Sequence, residues 1–285
     1  MSHFIKQNSC QCSFATSESW VVLSPIEQSI KQKIEKAGTP LKDWDINIYR
    51  GVLTGFNDAF IISSEKREEI LNNCKTEEER KKTDELIRPI LRGRDIKRYG
   101  YDWAGLYLIA TFPSRHYDIE EYPAVKEYLL TFGMERLEQT GKEYVVNGTK
   151  IKARKKTTNK WFETQDSISY WDDFFKQKIC WNRIAAEKQF ALVDEGIFIQ
   201  DSMHFIVGNN LTYLCSVLNS KLIQWLLSLI IGEAAGGNAG NADNVLNLTV
   251  PKTKSDKKIS DQEIYRIYNL STEEIKFVES YFISI

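Results

Sequence analysis

The stretch "YRGVLTGFNDAFIIS" at residues 49–63 sets Gly51 and Gly55 between two runs of β-branched and aromatic residues. Such runs, "WDINIYRG" and "AFIIS", predict two strands joined by a glycine-shaped turn, so the chain is committed early to a sheet. Later runs of the same kind, "YLIATF", "KICWNRI", "QFALVD", "FIQDSMHFIVG" and "VLNLTVP", predict further strands. Helical signals fall between them. Ser24, Pro25 and Glu27 supply an N-cap, a first-turn proline and an acidic N3 for a helix that stops at Gly38. Residues 65–88 are dense in alternating charge and suit one or two exposed helices. Pro123 opens a helix that closes near Gly141, and Leu211, Leu214, Cys215, Leu218, Leu222, Trp225 and Leu229 recur at helical spacing. Two short helices close the chain, the second capped by Ser271 with Glu274 at N3. The expectation is a mixed α/β (α+β) fold without internal repeats.

Glycine-punctuated loops often cradle phosphate, but the cofactor signatures are missing. None of the 15 glycines forms a G-x-G pair, and no G-x-x-x-x-G-K-[ST] loop occurs. The "GGNAG" run follows a helix and precedes a strand, the reverse of the order that aims a helix N-terminus at phosphate, and reads as a loop. Pro-Pro never occurs, which excludes the Asn-Pro-Pro-aromatic motif of adenine methyltransferases. His3, His116 and His204 lie far apart without partners at metal spacing. Cys10, Cys12, Cys74, Cys180 and Cys215 contain no C-x-x-C pair, so they read as reduced thiols of a cytoplasmic protein without a signal peptide. The most apolar stretch is broken by Asn219, Lys221 and Gln224, which argues against a membrane span.

With 38 Lys and Arg against 39 Asp and Glu, the net charge of -1 excludes a protein that coats nucleic acid indiscriminately. Any nucleic-acid site is therefore a local patch, and two patches qualify. "RPILRGRDIKRY" carries Arg88, Arg92, Arg94, Lys97 and Arg98 against Asp95 alone. "GKEYVVNGTKIKARKKTTNKWFE" carries Lys142, Lys150, Lys152, Arg154, Lys155, Lys156 and Lys160, and its Asn147-Gly148 pair predicts a hairpin or projecting loop. Lys and Arg neutralise phosphates and Arg also forks onto guanine; solvated surface is the alternative reading of the same charge. The aromatic residues Trp161, Phe162, Trp171, Phe174, Phe175 and Trp181 are expected in the core, with Trp161 the exception.

Seven motifs in order, "YRGVLTGFNDAFII", "IRPILRGRDIKRY", "YPAVKEYL", "WFETQDSISYWDDFFKQKICWNRI", "FALVDEGIFIQDSMHFIV", "YLCSVLNSKLIQWLL" and "IYNLSTEEIKFVE", resemble the TaqI-like C-terminal specificity domain. This is the target-recognition part of type IIG restriction-modification enzymes and related adenine-specific DNA methyltransferases. The resemblance runs from about Trp20 to the end. It implies a mixed-sheet target-recognition domain similar to type I specificity subunits, with flanking helices and a C-terminal helical tail. In that family a nuclease domain and a methyltransferase domain lie N-terminal to this region. The chain then corresponds to the recognition half, as a separate specificity polypeptide or a fragment of a larger enzyme. S-adenosylmethionine and Mg belong to the absent catalytic domains, and no cofactor is expected in this chain. Gly51, Thr54, Gly55, Asn57, Gly93, Arg94, Asp95 and Ile96 are the motif residues. Between Lys221 and Lys252 no basic residue occurs where the family pattern expects one.

These readings give an N-terminal arm and linker helix over 1–45, a DNA target-recognition domain over 46–250, and a helical tail over 251–285. The expected partners are double-stranded DNA and a methyltransferase/nuclease domain or subunit, with no membrane. The DNA-facing residues are Arg50, Thr54, Asn57, Arg92, Arg94, Lys97, Arg98, Lys150, Lys152, Arg154, Lys155, Lys156, Asn159, Lys160 and Trp161; no catalytic residue is expected. The competing class is an assembly module in which the helices at 24–37, 211–230 and 260–284 dock a catalytic partner and the basic loops are incidental. A small-molecule enzyme predicts instead a deep pocket of convergent titratable groups.

Overall fold

A computed structural model describes residues 23–183, 189–233 and 242–283. The "GGNAG" run, His3, Cys10 and Cys12 lie outside them. Contacts divide the chain into two units. One comprises Ile48–Trp181 with Ala191–Val207; the other comprises Met1–Asn47, Asn182–Phe190 and Gly208–Ile285.

The unit centred on Ile48–Trp181 is built on two four-stranded sheets. In one, the strand order is Ala191–Val193, Lys178–Asn182, Met203–Gly208, Ile46–Arg50. In the other it is Phe198–Ile199, Ile87–Leu91, Leu106–Ile109, Ile61–Ser63, with the first pair parallel and the rest antiparallel. Gly51 joins the sheets: its N–H bonds the Met203 carbonyl at 2.9 Å, and Val52 N–H bonds the Ile199 carbonyl at 2.6 Å. A Cβ at position 51 would lie 2.1 Å from the Gln200 carbonyl oxygen, so only glycine permits this approach. Between the sheets Phe174 stacks on Phe198 at 4.2 Å and packs on Phe205 at 5.0 Å, within a core that includes Phe60, Ile90, Leu108 and Phe112.

Helices cover this core. Ser64–Asn72 and Glu77–Leu86 are amphipathic enough to bury Ile70, Leu71, Thr83 and Leu86, so they are less exposed than their charge suggests. Buried Glu79 accepts from the Ala124 N–H at 3.0 Å and so caps the helix Pro123–Leu130. That helix does not continue to Gly141: Gly133, at φ +84°, breaks it, and a single turn Met134–Leu137 follows. The expected strand "AFIIS" is likewise half helical. Thr54 Oγ1 donates to Asn57 Oδ1 at 2.7 Å and accepts from the Phe56 N–H at 3.1 Å, and the turn Asn57–Phe60 forms before Ile61–Ser63 extends. "FIQDSMHFIVG" supplies two strands, because it turns at Gln200–Met203 to pass from one sheet to the other.

The other unit is mainly helical. Helix Pro25–Ala37 starts with the predicted Ser24–Glu27 capping box. The long apolar stretch forms two helices, Leu211–Leu218 and Lys221–Glu233. Asn219 ends the first by spending its amide on backbone: Nδ2 donates to the Phe190 carbonyl at 2.7 Å and Oδ1 accepts from the Phe190 N–H at 3.1 Å. In "VLNLTVP" the first residues close a short helix, Ala242–Leu246, and only Thr249–Val250 pairs as a strand, with Thr39–Pro40. Helices Asp261–Ile267 and Thr272–Tyr281 close the described chain, both with capping boxes. Glu274 ties the last helix to the first, accepting from Ser29 at 2.7 Å and Lys33 at 2.6 Å. Among the described residues no helix is long and apolar enough to cross a membrane.

Candidate nucleic-acid interface

The second basic segment folds as a two-stranded ribbon. Glu143–Val146 and Thr149–Lys152 pair antiparallel around Asn147 and Gly148, at φ +48° and +79°, the two positive values a type I′ turn needs. The ladder continues toward the domain through Ala153 N–H to the Lys142 carbonyl and Gly141 N–H to the Arg154 carbonyl, both 2.9 Å. Register sets the two faces. Glu143 opposes Lys152 and Val145 opposes Lys150, so these four share the outward face, and Val145 is 71% exposed. Tyr144 and Ile151 share the other face, where the Tyr144 hydroxyl donates to Glu138 Oε2 at 2.6 Å.

Arg154 roots this ribbon and departs from the expectation of a solvent-facing cation: it is only 5% exposed. Its Nε donates to the Leu137 carbonyl at 2.8 Å, Nη1 to the Thr54 and Glu163 carbonyls at 3.1 and 2.8 Å, and Nη2 to the Trp161 carbonyl at 2.5 Å. The guanidinium also lies over the Phe60 ring at 5.0 Å. Burial lowers its pKa to about 10 against the opposing pull of Glu163, so it remains protonated at neutral pH. One side chain thereby fixes four segments: the 134–137 turn, the opening loop, the 161–163 turn and the ribbon base.

Its neighbours are held by similar internal bonds. Asn159 Nδ2 donates to the Thr164 and Gln165 carbonyls at 3.2 and 3.0 Å, so its amide serves the loop. Gln139 Nε2 donates to the Lys160 and Glu163 carbonyls at 3.1 and 3.0 Å. Lys155, Lys156 and Lys160 remain exposed, the last with its ammonium 5.5 Å from the Phe162 ring. Trp161 is half-buried, packed edge-on against Phe162 at 5.5 Å. Of the other aromatic residues, Phe162, Phe174 and Trp181 are buried, Trp171 is half-buried and Phe175 is exposed.

The opening loop and the basic segment meet in one groove of about 600 Å³, lined by Gly55, Phe56, Arg136, Gly141, Lys152–Lys156 and Gln165. Gly55, at φ +78°, passes so close to Gln165 that a Cβ would lie 2.9 Å from its side chain. Thr54 is fully buried beneath the loop, whereas Asn57 is exposed. Arg50 is exposed and reaches Asp201 at 3.4 Å. The sequence pattern does not single out Phe56, Arg136 or Gln165. Arg136 reads there as one charge on a continuous helix, and only the break at Gly133 turns it into the groove.

The first basic cluster does not contribute to that lining. Arg92 is bound to buried Asp95, Nη2 to Oδ1 at 2.9 Å and Nε to Oδ2 at 3.2 Å, which closes the one-turn 3₁₀ helix Gly93–Asp95. Arg94, Lys97 and Arg98 are exposed around the short Ile96–Lys97 and Gly100–Tyr101 pair. Lys97 lies 3.9 Å from Asp102 and Arg98 stacks at 5.1 Å over Tyr99.

A mixed α/β domain with a projecting ribbon and a groove whose charged lining is wholly cationic has the make-up of a polyanion-binding domain. The sequence profile of the TaqI-like C-terminal specificity domain matches residues 88–237, more than half of the 285, and the chain belongs to that family, as its motifs imply. Among solved structures, the type IIG restriction endonuclease BpuSI is 15% identical with a TM-score of 0.49, over 86% of this chain and 27% of that one. The type IIL restriction-modification enzyme MmeI, solved in complex with DNA, is 12% identical with a TM-score of 0.41, over 64% and 21%. The chain thus spans about a quarter of the length of these enzymes. No curated protein matches it by sequence.

Proposed function

We propose that this chain recognises a short double-stranded DNA sequence and directs a methyltransferase/endonuclease module that carries the chemistry elsewhere. The observation that carries the reading is the Arg154-anchored ribbon, which lies inside the specificity-domain segment, and the groove it forms with the Gly55–Phe56 loop. A two-stranded ribbon fits the major groove of B-DNA. In this reading Lys150 and Lys152 meet phosphates at the groove edge while Val145 offers an apolar contact to a thymine methyl. Lys155, Lys156 and Lys160 clamp the backbone beside them, and the exposed Arg94, Lys97 and Arg98 supply a second backbone contact. The small-molecule alternative has less support, since the groove is open and its charged side chains are all of one sign.

The test exposes the full chain to a duplex pool with a randomised centre and sequences the bound fraction at moderate salt. Enrichment of one short motif, bound with a steep salt dependence, is expected. A pool that returns unenriched, together with DNA-independent capture of a methyltransferase polypeptide, rejects this reading in favour of the assembly module.

A further inference from the structure

Two arginines line the groove, and they differ in what they have left to give. Arg154 turns its donors inward to carbonyls of Leu137, Thr54, Glu163 and Trp161. Arg136 is exposed, and among the described residues no ion pair engages it. Its guanidinium lies 4.7 Å from the centre of the Phe56 ring, and Phe56 is itself braced edge-on by Phe132 at 5.4 Å. The remaining charged groups of the lining, Lys152, Lys155 and Lys156, are point charges on flexible stems.

We infer that Arg136 is a base-reading residue of the interface, set to take the O6 and N7 edge of a guanine, while the lysines around it hold phosphates. This rests on the DNA-binding reading above. A planar fork stacked on an aromatic ring has its orientation fixed before binding, so it loses little freedom per hydrogen bond formed. Bidentate pairing of arginine with guanine is the commonest specific contact in the major groove. Position is fixed as well as orientation. Gly133 breaks the preceding helix, the Arg136 N–H bonds the Gly133 carbonyl at 3.2 Å, and the next residue, Leu137, is buried with its carbonyl held by Arg154. Gln165 packs against Gly55, its Cβ and Oε1 each 2.9 Å from where a Cβ at position 55 would lie, and adds a polar side chain to the same lining.

The experiment compares the full wild-type chain with Arg136→Met and Arg136→Lys, each selected against the same randomised duplex pool, with salt titrations on the best wild-type duplex. Arg136→Met keeps an unbranched side chain over Phe56, and equal melting temperatures establish that the fold is retained. The expected result is that one guanine position in the selected motif loses its preference by roughly tenfold to a hundredfold in both variants, while preferences elsewhere persist. The salt slope stays within about half a unit of wild type. A uniform loss across all duplexes, with the slope falling by about 0.9, makes Arg136 a phosphate contact and overturns the inference. An unchanged motif overturns it also. Failure of the wild-type chain to select any duplex refutes the DNA reading itself, so the two failures are separable.

Discussion

Replacing Lys155 and Lys156 together by Ala separates the charge of the basic segment from its architecture. Both side chains are exposed, at the mouth of the groove, and neither carries a side-chain hydrogen bond of the fold. If each neutralises one phosphate, the slope of log K against log salt drops by about 1.8, from about 0.9 per contact. Between roughly 50 and 200 mM salt the wild-type affinity then falls about tenfold more than that of the variant. Stability should stay within about 0.5 kcal/mol. Arg154→Met gives the opposite pattern. It takes the Arg154 donor from the Leu137 and Trp161 carbonyls, leaves those of Thr54 and Glu163 with the Gln165 N–H and Gln139 Nε2 alone, and unpins the ribbon, at a cost of about 2–4 kcal/mol, and any binding defect follows from that loss. Fluorescence anisotropy across a salt series and urea unfolding monitored on Trp emission measure both quantities for both variants. A double lysine variant with an unchanged slope removes the pair from the interface. An Arg154→Met protein as stable as wild type refutes the anchor.

Gly55→Ala should lower stability by about 1–2 kcal/mol in the same urea assay, because φ +78° disfavours an L side chain and its Cβ meets Gln165. Asn219→Ala should cost about 2–4 kcal/mol by leaving the Phe190 N–H and carbonyl short of their partner, visible as a lower melting temperature. For Glu274 burial opposes ionisation, yet the hydrogen bonds of Lys33, the Ser271 N–H and Ser29 outweigh it and bring the carboxyl to about 2 from about 4.5. The folded state therefore binds this proton less readily than the unfolded chain. The resulting stability is complete above pH 4.5 and disappears as pH falls toward 2, so Glu274→Gln should flatten that acid limb in unfolding midpoints. Lys178 is fully buried, donating to the Phe174 and Asp194 carbonyls at 3.0 and 3.1 Å, and burial lowers its pKa to about 8 from 10.5. The unfolded chain then holds the extra proton across that window, so this residue's contribution to stability rises from pH 8 to 10.5. Lys178→Met should abolish that rise.

Legibility in the sequence followed the range of the interactions. Capping boxes at Ser24 and Ser271 and the Asn147-Gly148 turn depend on residues within four positions of one another. The motifs likewise carry the family, because they are themselves strings of sequence. The breaks at Gly133 and Asn219 were not legible. Gly133 interrupts an otherwise apolar-periodic run, and Asn219 ends a helix by binding Phe190, 29 residues away. Arg154 is the sharpest case. Within "IKARKKTTNK" it is the one arginine among lysines, but nothing in the local pattern marks it for burial.

The sequence by itself therefore determined the mixed α/β class, the specificity-domain family and the location of a basic ribbon, all of which are written in local pattern and ordered motifs. Tertiary structure decided which cations face solvent. Burial of a guanidinium is tolerated only where several carbonyls converge on it, and those around Arg154 come from Thr54, Leu137, Trp161 and Glu163, residues from three separate stretches of the chain. That convergence turns the one arginine of the basic run into the support of the ribbon and leaves Lys152, Lys155 and Lys156, with Arg136, at the surface of the groove.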